Sequence, residues 1–176
     1  MLTRKINAVI SLLTTFLIFA HAIPIAVWMI SMGAINRPPV ILSWVLTGFV
    51  LVHVFICIDM VVSIHMSGEH QKGKTYPKLN RTMIVQRLSG VLMVLFTGLH
   101  IAGAIGAMHP PKIVHGIVPP LFFAVVMAHV AVSTSKAFIT LGIGDAKFIK
   151  RVDILTKVIC VITLIADVVG FFLYVW

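Results

Sequence analysis

Acidic residues are scarce in this chain. Five Asp and Glu stand against fourteen Lys and Arg, and only 11% of the 176 residues are charged, while 60% are hydrophobic. A soluble domain of this length could not bury so much apolar surface, so that class is excluded. Cysteine is nearly absent. Cys57 and Cys160 sit singly inside apolar runs with no CxxC spacing, which argues against a thiol–quinone redox protein and against an iron–sulfur cluster bound by this chain. Both read as buried, inert thiols. No GxGxxG-type nucleotide loop occurs, and internal repeats and low-complexity tracts are missing.

What the chain does contain is long apolar runs, and a helix needs roughly 20 residues to span a bilayer. An open strand could not satisfy its backbone in lipid, so the expected fold is all-α: one domain, an integral membrane bundle of five transmembrane helices. The pattern predicts spans at about 6–33, 40–66, 83–108, 116–143 and 152–175. Asn36, Arg37, Pro38 and Pro39 end the first span. The polar stretch 67–81 separates the second from the third. Met108, His109, Pro110, Pro111 and Lys112 suggest a tight turn, and Gly142, Gly144 and Asp145 end the fourth span. The first segment is long and lacks a small-residue cleavage site, so it reads as a retained span.

The basic residues set the expected orientation. Arg4 and Lys5 precede the first span; Lys72, Lys74, Lys78, Arg81 and Arg87 lie between the second and third. Lys136, Lys147, Lys150, Arg151 and Lys157 lie around the link between the fourth and fifth. Only Arg37 and Lys112 fall on the other side. The positive-inside rule then puts the N-terminus in the cytoplasm and the C-terminus outside. The net charge of +9 is thus a topology signal and a docking surface for an acidic partner; no nucleic acid is implied.

Four histidines lie deep in four separate spans: His21, His53, His100 and His129. A polar ring in hydrocarbon is costly unless something satisfies it. Each alone could hydrogen-bond a neighbouring helix, but four, one per span, point to two bis-histidine sites, and haem is the usual occupant of such a site. Bis-imidazole ligation leaves no open iron position, so the chemistry is electron transfer. Spacing from the basic ends favours pairing His21 with His100 and His53 with His129. The depth difference is only a few ångströms at 1.5 Å per residue, so spacing leaves other pairings open. Candidate partners for haem propionates are Arg4, Ser11, Arg87 and Ser89. Small residues near the ligands, such as Gly98, Gly103, Ala128 and Ala131, suit either a macrocycle or close helix packing. Asp59 and Asp167 are intramembrane carboxylates, for proton uptake, a quinone hydrogen bond or a helix-to-helix bond.

The segments around the histidines resemble the cytochrome b membrane anchors of succinate dehydrogenase and fumarate reductase, of the five-helix, di-haem kind. Arg4 through Ser11-Leu12-Leu13 to His21 is similar to that family's first span. Gln86-Arg87-Leu88-Ser89-Gly90 followed by His100 is similar to its third. Ala128-His129, running on to Phe138-Ile139-Thr140-Leu141-Gly142-Ile143, is similar to its fourth. The resemblance implies two haem b, one iron held by His21 and His100 and the other by His53 and His129. It implies a menaquinone-type quinone as substrate. Its partners would be an iron–sulfur subunit and a flavoprotein on the cytoplasmic face, in a bacterial or archaeal inner membrane. The chain itself would be the non-catalytic-head subunit of a quinone-linked oxidoreductase. It departs from the family in short outer loops that hold no Asp or Glu, leaving His109 and His115 as the titratable outer groups near neutral pH. The alternatives are a b-type cytochrome of another dehydrogenase or hydrogenase, and a haem-free transporter.

The orientation has a direct check. A phosphatase that folds only after export should be active when fused after Trp176 and inactive when fused within 67–81. The opposite pattern would reverse the topology.

Overall fold

The structure is a computed structural model that describes residues 2–66, 81–107 and 112–175. It is all helical among those residues. The elements are α1 (Leu2–Ile30), α2 (Val40–Met66), α3 (Arg81–Ala104), α4 (Lys112–Leu141) and α5 (Ala146–Val175). All five are long and apolar enough to cross a membrane. The expected turn at 108–112 lies almost wholly outside the described residues, as does the stretch 67–80.

Three helices end in the same way, and the sequence shows why. At α3 the Ala107 N–H reaches the Ala102 carbonyl and the Gly106 N–H reaches Gly103, with Gly106 at φ 73. At α4 the Ile143 N–H reaches Phe138 and the Gly142 N–H reaches Ile139, with Gly142 also at φ 73. Glycine takes this left-handed position without a Cβ penalty, and the paired bonds satisfy the last carbonyls. At α1 the same bonds run from Gly33 to Trp28 and from Met32 to Met29, with Met32 in the left-handed position at φ 50.

Two boundaries differ from expectation in ways that matter. Glycine caps α3 at Ala104, short of 108, so His100 lies only four residues before the helix end. And α5 starts at Ala146, not 152. The Asp145 carboxylate accepts the Phe148 N–H at 2.7 Å, an N-cap bond that starts the helix before its apolar run. Polarity at 146–151 reflects the basic end of the bundle, not a loop.

Pairs across the seams fix the register. Asn7 meets Cys57 and His21 meets Ser43, so α1 and α2 are antiparallel. Gln86 meets Lys136 and Ser89 meets His129, so α3 and α4 are antiparallel too. Phe138 meets Phe148 and Phe123 meets Phe171 across α4 and α5. Trp28 stacks near Tyr174 with centroids 4.7 Å apart, so α1 and α5 run parallel. One end of the bundle is therefore basic. It carries the exposed Lys147, Lys150, Arg151 and Lys157.

α5 is the spine. Thr156, Cys160, Thr163, Asp167, Gly170 and Phe171 are its buried residues, spaced to form one face that packs on α1 and α4. The apolar core lies where these helices meet: Ile18, Val126, Met127, Val130 and Cys160. α2 packs on α1, and α3 packs on α4. No substantial packing joins α2 to α3, α2 to α4 or α1 to α3 among the described residues. α1 also packs directly on α4, so the four histidine-bearing helices form an open array with α2 and α3 on its two sides.

The α1–α5 seam is close. A Cβ added at Gly170 would lie 3.1 Å from the Ala26 carbonyl oxygen and 3.1 Å from Met29 Cβ. Overpacking of this kind costs about 1–3 kcal/mol. Gly170→Val should therefore lower the thermal midpoint in detergent, and an unchanged midpoint would show that the seam is loose.

Candidate functional site: two histidine pairs in the bundle gap

Of the four histidines, His53 and His129 line one small cavity, His21 is half-buried and His100 is exposed; each has a different seat. On α4, the His129 Nδ1 lies 3.1 Å from the Ser89 Oγ of α3. That serine hydroxyl donates to the Val85 carbonyl at 2.6 Å. With its proton so committed, the serine oxygen is an acceptor, and Nδ1 carries the ring proton. The Gln86 backbone is a further partner of the same ring. A neutral imidazole has one N–H, so Nε2 keeps its lone pair. This is how an outer partner orients a metal-binding histidine. Gly90 is part of the same seat: a Cβ there would lie 3.3 Å from His129 Cε1.

His53 on α2 lines a cavity together with His129. Its other walls are Ser11, Thr14, Thr15 and Ile18 of α1, Met93 of α3, and Val130 and Ser133 of α4. All four histidine-bearing helices contribute. The cavity is small, about 20 Å³, and partly open. His53 Nδ1 is buried without a hydrogen-bond partner among the described residues, and a buried unsatisfied ring nitrogen costs about 1–3 kcal/mol. His53 and His129 lie within electrostatic reach of each other.

His21 on α1 and His100 on α3 form the second neighbourhood, also within electrostatic reach. The His21 Nδ1 lies 3.3 Å from the Ser43 Oγ of α2. His100 packs on the Phe122 ring of α4 with centroids 5.1 Å apart. By helix rise, His21 and His100 lie roughly 14 and 6 Å from the non-basic ends of α1 and α3, while His53 and His129 lie roughly 20 and 26 Å from those of α2 and α4. Because His21 meets Ser43 on α2 and His129 meets Ser89 on α3, the two levels lie roughly 15 Å apart by helix rise, further than the spacing of the sequence suggests.

The other expected site residues divide. Ser11 lines the cavity. Ser89 is buried, and its hydroxyl is occupied by the His129 ring and the Val85 carbonyl. Arg4 and Arg87 are exposed and line no part of the cavity. Of the carboxylates, Asp59 is exposed on α2 and Asp167 is 2% exposed on the packed face of α5; neither lines the cavity. His109 and the side chain of His115 lie outside the described residues.

Sequence reasoning missed one pair. Lys136 of α4 donates to the Gln86 Oε1 of α3 at 2.6 Å. The cation sits two helical turns below His129, held by a neutral amide and by no carboxylate among the described residues. Lys136 counted only as a topology residue in the sequence, because a partner 50 positions away is invisible there.

No family model matches the chain, and no curated protein or solved structure does either. The residues of the site must carry the functional reading themselves.

The Ser89 seat is testable. In chain labelled with ¹⁵N-histidine, His129 should be the Nδ1–H tautomer, and Ser89→Ala should shift it toward a mixture. An Nε2–H assignment in the unaltered chain would refute the seat.

Proposed function

We propose that the chain is a di-haem b-type cytochrome, the membrane anchor of a succinate:quinone oxidoreductase of the succinate dehydrogenase or fumarate reductase kind. It would pass electrons between a cytoplasmic iron–sulfur subunit, which carries a flavoprotein, and a membrane quinone of the menaquinone type. The membrane would be the inner membrane of a bacterium or archaeon. The observation that supports this reading is that His53 and His129, on two different helices of an apolar bundle, line one cavity, with His21 and His100 at a second level on two others.

The donor set is two imidazoles at each level, and haem is the cofactor such a pair would hold. Among the described residues no three of His, Cys, Asp and Glu converge to hold a metal. His53 and His129 would hold one haem. His53 and His129 share a cavity, one with an orphaned nitrogen and the other with its proton tied back to Ser89. His21 and His100 would hold the second group. When bound between two imidazoles, haem supplies one-electron transfer with no open iron position.

The chain's own residues hold and orient. Ser89 fixes the tautomer of His129, and Gly90 leaves room for its ring. Ser11, Thr14, Thr15 and Ser133 give the cavity hydroxyl groups within an otherwise apolar lining. Lys136, which like Arg4 and Arg87 lies outside the cavity lining, adds a cation on the basic side of His129 that suits a propionate. The exposed Lys147, Lys150 and Arg151 give the basic face a charge that suits an acidic subunit, while Lys157 is paired with Asp153.

The test is chemical. The purified chain should contain about two b haems by pyridine haemochrome assay, and none would sink the reading. His100→Ala should remove one haem and leave the other, which loss of neither would contradict.

A further inference from the structure

We propose that Arg37, Trp28 and Tyr174 form a binding site for the phosphate of an anionic phospholipid, at the end of the bundle opposite the basic one. The site uses none of the histidines, and the inference stands whether or not haem binds.

Three parts of the chain build it. Trp28 lies in the last turn of α1 and Tyr174 in the last turn of α5. These helices run parallel, so the two rings meet, with centroids 4.7 Å apart and planes at 45°. The connection from α1 to α2 then folds back on Trp28. Its Gly33 N–H and Ser31 hydroxyl both donate to the Trp28 carbonyl, at 3.1 and 2.8 Å. Farther along the same connection, the Arg37 guanidinium carbon lies 5.6 Å from the centre of the Trp28 ring. Pro38 follows it, and a residue before proline has little backbone freedom. The arginine is thus held over the indole by its own chain, yet it is exposed. Stacking engages the face of a guanidinium and leaves its N–H edge free.

What that edge lacks is an anion. The chain has five acidic residues. Asp145 and Asp153 belong to the basic end, Glu69 follows α2 in the chain, Asp59 lies in the last two turns of α2, and Asp167 is buried in α5. The connection that carries Arg37 has none, and Arg37 makes no ion pair among the described residues. A guanidinium presents a planar fork of donors that matches phosphate, and Tyr174 adds a hydroxyl beside the indole. Headgroup phosphates lie at the ends of membrane spans, the level at which Trp and Tyr settle. Val27, Ile30 and Leu173, next to these residues in the chain, are apolar and exposed, a surface for acyl chains. An unneutralised cation favours a lipid of net negative charge. The plain reading is a general interfacial anchor, which would accept any headgroup.

Fluorescence quenching at Trp28 separates the two readings, in the full chain carrying Trp44→Phe and Trp176→Phe so that one indole reports. The chain is placed in phosphatidylcholine vesicles that contain a small fraction of brominated phosphatidylglycerol or, for comparison, of brominated phosphatidylcholine. The brominated phosphatidylglycerol should quench Trp28 at the lower fraction of the two. Arg37→Gln should weaken that response roughly tenfold, the loss expected for one charge-assisted contact. Arg37→Lys, which keeps the charge and loses the fork, should retain part of the preference and supports the comparison if Arg37→Gln lowers the thermal midpoint. Equal quenching by the two lipids, or a preference that survives in Arg37→Gln, leaves only a general anchor and overturns the proposal. Inorganic phosphate that abolishes the preference at millimolar concentration would show a site for free anion and overturn the lipid assignment.

Discussion

An imidazole inside an apolar bundle must have both nitrogens accounted for, and the arrangement of this protein follows from that constraint. A neutral ring has one donor and one acceptor, and hydrocarbon offers a partner to neither. Here four such rings are set on four helices. One nitrogen of His129 goes to Ser89, one of His21 to Ser43 and one of His53 to Cys57. In these three rings a neighbour takes one nitrogen and leaves the other, while His100 lays its ring on Phe122. An ordinary packed core would have closed over these rings or replaced them with leucine.

The rest of the bundle keeps that array open. α5 bears no histidine and buries a continuous face against α1 and α4. Its close approach at Gly170 and the core around Val130 and Cys160 give the array a rigid backbone. α2 and α3 can then hang from α1 and α4 without packing on each other. The exposed apolar surface of all five helices suits lipid, and the basic residues gather at one end. Packing, charge and the histidine levels thus describe one object: a scaffold with a fixed spine and a lined groove.

Much of the fold was legible in the sequence. Runs of apolar residues gave five helices because the backbone has few other options in lipid. Glycine at 142 marked one cap, since a left-handed turn needs it, whereas the third span was carried past Gly106 to 108. The start of α5 was misread because polar residues at 146–151 looked like a loop, while Asp145 was already capping a helix. The histidines stood out because polarity in a membrane run is rare. Their seats did not. Ser89 was visible as a small polar residue near a ligand, but not as the acceptor of a ring 40 positions away. Gln86 with Lys136 and Asn7 with Cys57 are links between helices whose register is set by packing, and one-dimensional spacing carries no trace of it.

The central claim is that the two histidine pairs each close on one iron. Low-temperature electron paramagnetic resonance of the oxidised, purified chain tests it most directly. Two distinct low-spin ferric signals, with no high-spin component, are the result expected for two fully coordinated bis-imidazole sites. A dominant high-spin signal, or a chain that carries no haem iron at all, would contradict it.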